Sequence, residues 1–205
     1  MKSVIIVRYC EIHLKGKNKK FFEKLLINAI QKSLSDIPHK LAVMNARYLI
    51  EDFNENDYDT ICERLSKIFG VHSYSPAKVV KSDFDEIAKC CLELVEGKTG
   101  TFKVNTNRAD KKFPLPSPQM SRELGGVLLE KYHEKIKVDV INPSFSVNVD
   151  IRESGETLIY TDVIKGFGVI FNWRHKGYLR GILVDDPGRG ADVIGMRMRN
   201  NEVFQ

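Results

Sequence analysis

Strand-like and helix-like segments alternate along the first half of the chain. Ser3 to Cys10 (SVIIVRYC) is a β-branched run, and Lys19 to Ser35 repeats apolar residues at helical spacing: Phe22, Leu25, Leu26, Ala29, Ile30 and Leu34. Two short strand candidates follow Pro38, at Leu41 to Met44 and Tyr48 to Glu51, with Asn45 and Ala46 as the turn between them. Ile61, Leu65 and Ile68 then mark one side of a second helix that stops at Gly70, and Val71 to Val80 supplies another extended segment. The order β, α, β, β, α, β is that of a ferredoxin-like unit.

A second unit opens where Ser82 offers an N-cap and Asp83, Asp85 and Glu86 suit the positive end of a helix dipole. That helix is expected to end at Gly97. Thr101 to Thr106 (TFKVNT) alternates like a strand, Asn107 to Pro118 is a polar, Pro-rich loop, and Ser121 to Tyr132 returns to helical spacing, with Gly125 and Gly126 as close-packing positions. Three extended pieces close the unit: Val138 to Ile141, Phe145 to Ile151 and Thr157 to Val163, the last two joined by a hairpin at Ser154 and Gly155. The fold class is mixed α/β (α+β). Beyond Gly166 hydrophobic periodicity fades and arginine replaces lysine, so Trp173 to Gln205 reads as an irregular, poorly packed tail.

The chain has 205 residues, 42% hydrophobic and 29% charged, enough for one large or two small cores. No apolar run approaches the roughly 20 residues of a bilayer crossing, and Met1-Lys2 is not followed by a signal-length stretch. A cytoplasmic protein with no membrane partner is the expectation. Cys62, Cys90 and Cys91 fall in helix-like segments and, with Cys10, show no metal-ligand spacing; they read as small buried hydrophobes in a reducing compartment.

The formal net charge of +5 permits a polyanionic partner without demanding one, so the placement of charge matters more. Lys15, Lys17, Lys19, Lys20 and Lys24 crowd around Gly16 and a helix start, where free backbone amides favour phosphate. Lys98, Lys103, Arg108, Lys111 and Lys112 form a second cluster, interleaved with Asn105, Thr106, Asn107 and Phe113. Such a loop can hold phosphates, and its aromatic can stack on unpaired bases. Solvated surface lysines are the bland alternative for both. Catalytic groups are thin: the five histidines lack metal-ligand spacing, and neither a serine elbow nor a G-x-x-x-x-G-K-[ST] loop is present. No catalytic residue and no metal site is assigned.

RYCEIHLKGKNKKFFEKLL resembles the R-Y-G-E-x-x-L-K-G-K-N-R-x-x-F-E opening of tRNA 4-thiouridine sulfurtransferases, and IFGVHSYSPA resembles the link into their THUMP domain. TFKVNTNRADKKFPLPSPQMSRELGG and KVDVINPSFSVNVDIRESGETLIYTDVIKGFG follow that family's F-K-V-x-x-x-R-x-D-K-x-F-P and V-D-L-x-x-P patterns in register. The resemblance runs from about Met1 to Gly168. It departs at Cys10, where the family has Gly, and after Gly168, where the family's S-G-G-x-D-S pyrophosphate loop does not appear.

The resemblance implies a ferredoxin-like N-terminal domain at 1–58, its last helix and strand reaching about 80, a THUMP domain at 59–166, and a divergent tail at 167–205 that reads as a frameshifted or disordered remnant. It also implies a tRNA-binding fragment that engages the 3′ CCA end, with Lys15, Lys17, Asn18, Lys103, Asn105, Arg108, Lys111 and Lys112 at motif positions for RNA contact. No cofactor is expected in this chain. In the family ATP serves the pyrophosphate-loop domain, which adenylates uridine 8, so this chain is not expected to be catalytic alone. The alternative is a subunit of a split sulfurtransferase in 4-thiouridine or thiamine biosynthesis, partnered by a catalytic polypeptide and a cysteine desulfurase.

Overall fold

The computed structural model describes residues 1–9, 19–44 and 47–166, together with the backbone of four short strands between 171 and 204. The expected turn at Asn45 and Ala46 and the irregular tail lie outside the described residues, apart from those strands, Phe171–His175 with Tyr178–Gly181 and Arg197–Arg199 with Glu202–Phe204, each pair antiparallel.

Two compact units share the chain. The first contains β1 (Lys2–Tyr9) from Ile6 onward, α1 (Lys19–Ser33), β2 (Lys40–Met44), β3 (Arg47–Glu51), α2 (Tyr58–Ser66) and the start of β4 (Val71–Lys81). Its strand order, β2-β3-β1-β4, is the ferredoxin-like one that the sequence predicts. Val4 to Val7 are buried without alternation, as befits a central strand covered on both faces. On α1, Leu26 and Ile30 supply the core, with Leu34 just beyond, and the sequence reading errs at Leu25, which is 39% exposed, and at Ala29, which is also exposed. Asp36 and Arg64 form an ion pair in which Arg64 also donates to the Ser33 carbonyl at 2.8 Å, tying α2 to the end of α1.

The second unit takes the rest of β4, α3 (Phe84–Val95), β5 (Gly100–Arg108), α4 (Ser117–Tyr132), β6 (Ile136–Val138), β7 (Phe145–Ile151) and β8 (Glu156–Tyr160), with strand order β4-β8-β7-β5-β6. β5 lies parallel to both neighbours, β6 and β7, which requires a crossover on each side. Ile87, Cys90 and Cys91 of α3, with Met120, Leu124 and Leu128 of α4, pack on Phe102, Val147, Val149, Ile151 and Ile159. Full burial of each large side chain stabilises by roughly 1.5–3 kcal/mol. The three described cysteines are free and buried, and burial pushes the Cys90 thiol up to about 11 and Cys91 higher still, so both stay protonated, inert hydrophobes.

Four local expectations need correction. Asp83, not Ser82, caps α3, accepting from the amides of Asp85 and Glu86, because the Ser82 hydroxyl is occupied by Thr157 Oγ1 at 2.9 Å. α4 begins four residues earlier than its apolar spacing suggests, at Ser117, since Pro118 suits a first helical turn. The strand expected at Val138 to Ile141 is Ile136–Val138; Asp139 stops it by accepting the amides of Ile141 and Asn142, which lower its pKa. Gly125 and Gly126 are not close-packing positions: a Cβ on either meets nothing within 4 Å.

Gly155, at φ 79°, makes the β7–β8 hairpin turn as expected. A two-residue strand, β9 (Ile164–Lys165), then returns to the front of β4, pairing with Tyr74 and Ser73. Gly166 follows, and a Cβ there would sit 2.4 Å from the Val71 carbonyl oxygen.

Candidate nucleic-acid interface

Side chains alternate along β5, and the alternation divides the expected contact residues. Phe102 faces the helix layer, as does Thr106, whose hydroxyl accepts from Ser121 of α4 at 2.8 Å. Arg108 shares that side by register, whereas Lys103 and Asn105 lie on the other. Lys103 stands beside Ser146 of β7, and Asn105 beside Asn148, to whose side-chain oxygen it donates at 3.2 Å. Asn107 makes the equivalent bond to Asp150 at 2.9 Å. A polar ladder therefore crosses the two strands, with a cation at one end.

Arg108 is largely turned inward on the chain itself. Its Nη1 donates to the carbonyls of Phe113 at 2.9 Å and Leu115 at 3.3 Å, closing the segment that joins β5 to α4. Asp110 adds a side-chain turn, accepting the Lys112 amide at 2.8 Å. Phe113 is buried in the α3/α4 core at 8% exposure, so the expectation that it stacks on bases is overturned: an aromatic spent on anchoring the loop is not available to a ligand. With Arg108 and Phe113 holding the loop from within, Lys111 and Lys112 project from it, exposed. Sequence reasoning missed Asp110; an Asp two residues before a loop lysine is the signal that could have found it.

Lys15, Lys17 and Asn18 of the first cluster lie outside the described residues, as does Cys10. The segment's two flanks are described. Tyr9, at the end of β1, donates to Glu23 Oε1 at 3.0 Å, and Lys19 lies 3.7 Å from the same oxygen. Burial and the Glu23 carboxylate together push the Tyr9 phenol up to about 12. Tyr48 stacks at a tilt on Tyr9, ring centroids 5.3 Å apart, with its own buried hydroxyl unpartnered. Lys20 and Lys24 point outward from α1.

No His, Cys, Asp and Glu grouping suited to a metal occurs among the described residues, and no described helix is long and apolar enough to cross a membrane. The site offers cations, amides and hydroxyls, which suit an anionic, hydrogen-bonding polymer.

Comparison with protein families agrees with this division. The family described as the ThiI ferredoxin-like domain matches residues 4–75, and the THUMP domain matches residues 81–162. Residues 4–75 are thus a ThiI-type ferredoxin-like domain and residues 81–162 a THUMP domain. A probable tRNA sulfurtransferase of Alkaliphilus metalliredigens is 44% identical over 176 residues, 82% of this chain and 43% of the relative. A 4-thiouridine synthetase, solved with RNA and bound ATP, superposes with TM-score 0.72 at 36% identity, over 82% of this chain and 43% of its own. A Pyrococcus horikoshii structure gives TM-score 0.69 at 30% identity, over 81% of this chain and 56% of that one. The chain thus spans under half the length of the sulfurtransferases it matches, and the ferredoxin-like and THUMP units account for the likeness.

Proposed function

We propose that the ferredoxin-like and THUMP units bind tRNA at its 3′ CCA end, as the RNA-holding part of 4-thiouridine formation in the cytoplasm. The observation that carries this reading is the β5–α4 loop: Arg108 and Phe113 fix it from inside, so Lys111 and Lys112 are held toward solvent with little order left to impose when phosphate arrives. Lys103 and Asn105 add polar contacts on the other face of β5, and Lys15, Lys17 and Asn18 add the second motif. The synthetase solved with RNA supports the choice of ligand. Adenylation and sulfur transfer fall to an ATP-binding domain and a sulfur donor beyond the residues described.

The test is binding of the purified chain to unmodified tRNA, with and without its CCA end, across a salt series. Tight, end-dependent binding whose log affinity falls linearly with log salt supports the proposal. Binding indifferent to the CCA end removes the end-recognition part, and no binding overturns the whole.

A further inference from the structure

We infer that the solvent face of α1 is a second RNA-contact surface, on which Phe21 stacks against an unpaired base while Lys20, Lys24 and Lys32 follow the phosphates. The inference rests on the proposed tRNA binding and extends it to residues outside the motif positions.

At about 100° per residue, Lys20, Phe21, Lys24, Leu25, Asn28 and Lys32 fall within one sector of about 140° around the helix. Every one of the six is exposed. Lys20, Lys24, Asn28 and Lys32 succeed one another every four residues, about 6 Å apart along the axis, so the cations and the amide form a row. The only carboxylate of α1, Glu23, lies outside the sector and is already engaged by Tyr9 and Lys19. Among the described residues, the ammonium groups of Lys20, Lys24 and Lys32 have no hydrogen-bond or ion-pair partner. A helix face that is cationic, free of acids and unspent complements a polyanion.

Apolar exposure decides which polyanion. Phe21 is 41% exposed and Leu25 39%, four residues apart on the same face. Phe21 is not loose: Phe22 meets it edge-on, centroids 5.6 Å apart at 80°, which props the ring while the residue stays 41% exposed. A propped aromatic beside lysines fits a nucleobase with its phosphates. A membrane surface would call for a broader apolar face than two half-exposed side chains.

The experiment uses the full chain with an acceptor-stem RNA carrying a single-stranded 3′ end and with its blunt counterpart. Lys24→Gln with Lys32→Gln should reduce the slope of log affinity against log salt by about two. Phe21→Ala should weaken binding of the tailed RNA roughly tenfold with the slope unchanged, leave the blunt RNA unaffected, and be rescued by Phe21→Tyr. Equal melting temperatures certify the fold. If the wild-type chain binds RNA and loses affinity on Lys111→Ala with Lys112→Ala, yet ignores both α1 variants, the α1 surface is overturned and the proposed function stands. Absence of RNA binding by the wild type overturns both. Lysine-dependent capture by phosphatidylserine vesicles, with RNA affinity unchanged, also overturns the RNA surface.

Discussion

Tyr9 and Glu23 stand 14 residues apart in sequence and 3.0 Å apart in space, joined by a hydrogen bond from phenol to carboxylate. The bond ties the end of β1 to the second turn of α1, across the segment that carries Lys15, Lys17 and Asn18. A charge-assisted bond of this kind contributes on the order of 1.5–3 kcal/mol, so Tyr9→Phe should lower stability by up to that amount in urea unfolding. The folded-state phenol titrates at about 12, above its ordinary value near 10. Its contribution is therefore complete below pH 10 and is lost as pH rises from 10 to 12. The wild type should lose stability over that window, and Tyr9→Phe should lose less.

Arg108 and Lys111 separate positioning from charge. Arg108→Lys keeps the cation but cannot reproduce both bonds to the Phe113 and Leu115 carbonyls, so RNA affinity should fall several-fold with the salt slope unchanged and the loop should be cut faster by trypsin. Lys111→Ala should reduce the slope by about one and leave proteolysis of the loop otherwise unaltered. A smaller slope in an Arg108→Gln protein, which removes the charge, would show that this charge meets RNA directly.

Phe113→Ala removes the loop's anchor from the α3/α4 core. The expected loss is about 3 kcal/mol by chemical denaturation, since a buried ring leaves a cavity. Direct base stacking by Phe113 would instead appear as weakened RNA binding at unchanged stability.

Asp83→Ala should destabilise by about 1 kcal/mol through loss of the α3 cap, measurable as a lowered melting temperature. Asp83→Ser should recover most of it.

Gly126 is exposed in the middle of α4 with open space where a Cβ would go. Gly126→Ala should therefore stabilise by roughly 0.5–1 kcal/mol, the difference in helix propensity and unfolded-chain freedom. A lower melting temperature would mean that the position is packed after all.

Periodicity made both units legible, because apolar residues that face a core must repeat with the element's own period. The ferredoxin-like strand order follows from the six elements of the first unit, and the β7–β8 hairpin from Ser154 and Gly155. What escaped was set by competition between neighbours. Ser82 and Asp83 are equally good caps in sequence, and only the partner at Thr157 removes one of them. Leu25 fits the same helical repeat as Leu26, but the core is narrower than the repeat. At the candidate interface, composition located the β5–α4 loop but not its internal economy, since a buried Phe and an inward-bonding Arg read as ligand groups until their carbonyl and core partners are seen.

β4 is completed late. Its first residues belong to the unit made earliest, yet Ser73 and Tyr74 receive β9 only at Ile164 and Lys165, after every strand of the second unit. On a ribosome releasing the chain from its N-terminus, the first four strands can assemble while that edge waits with open backbone groups through the synthesis of some 80 further residues. The short return strand closes that edge by pairing Ile164 with Tyr74 and Lys165 with Ser73, so until it emerges the exposed stretch of β4 is a template for mispairing or for a chaperone.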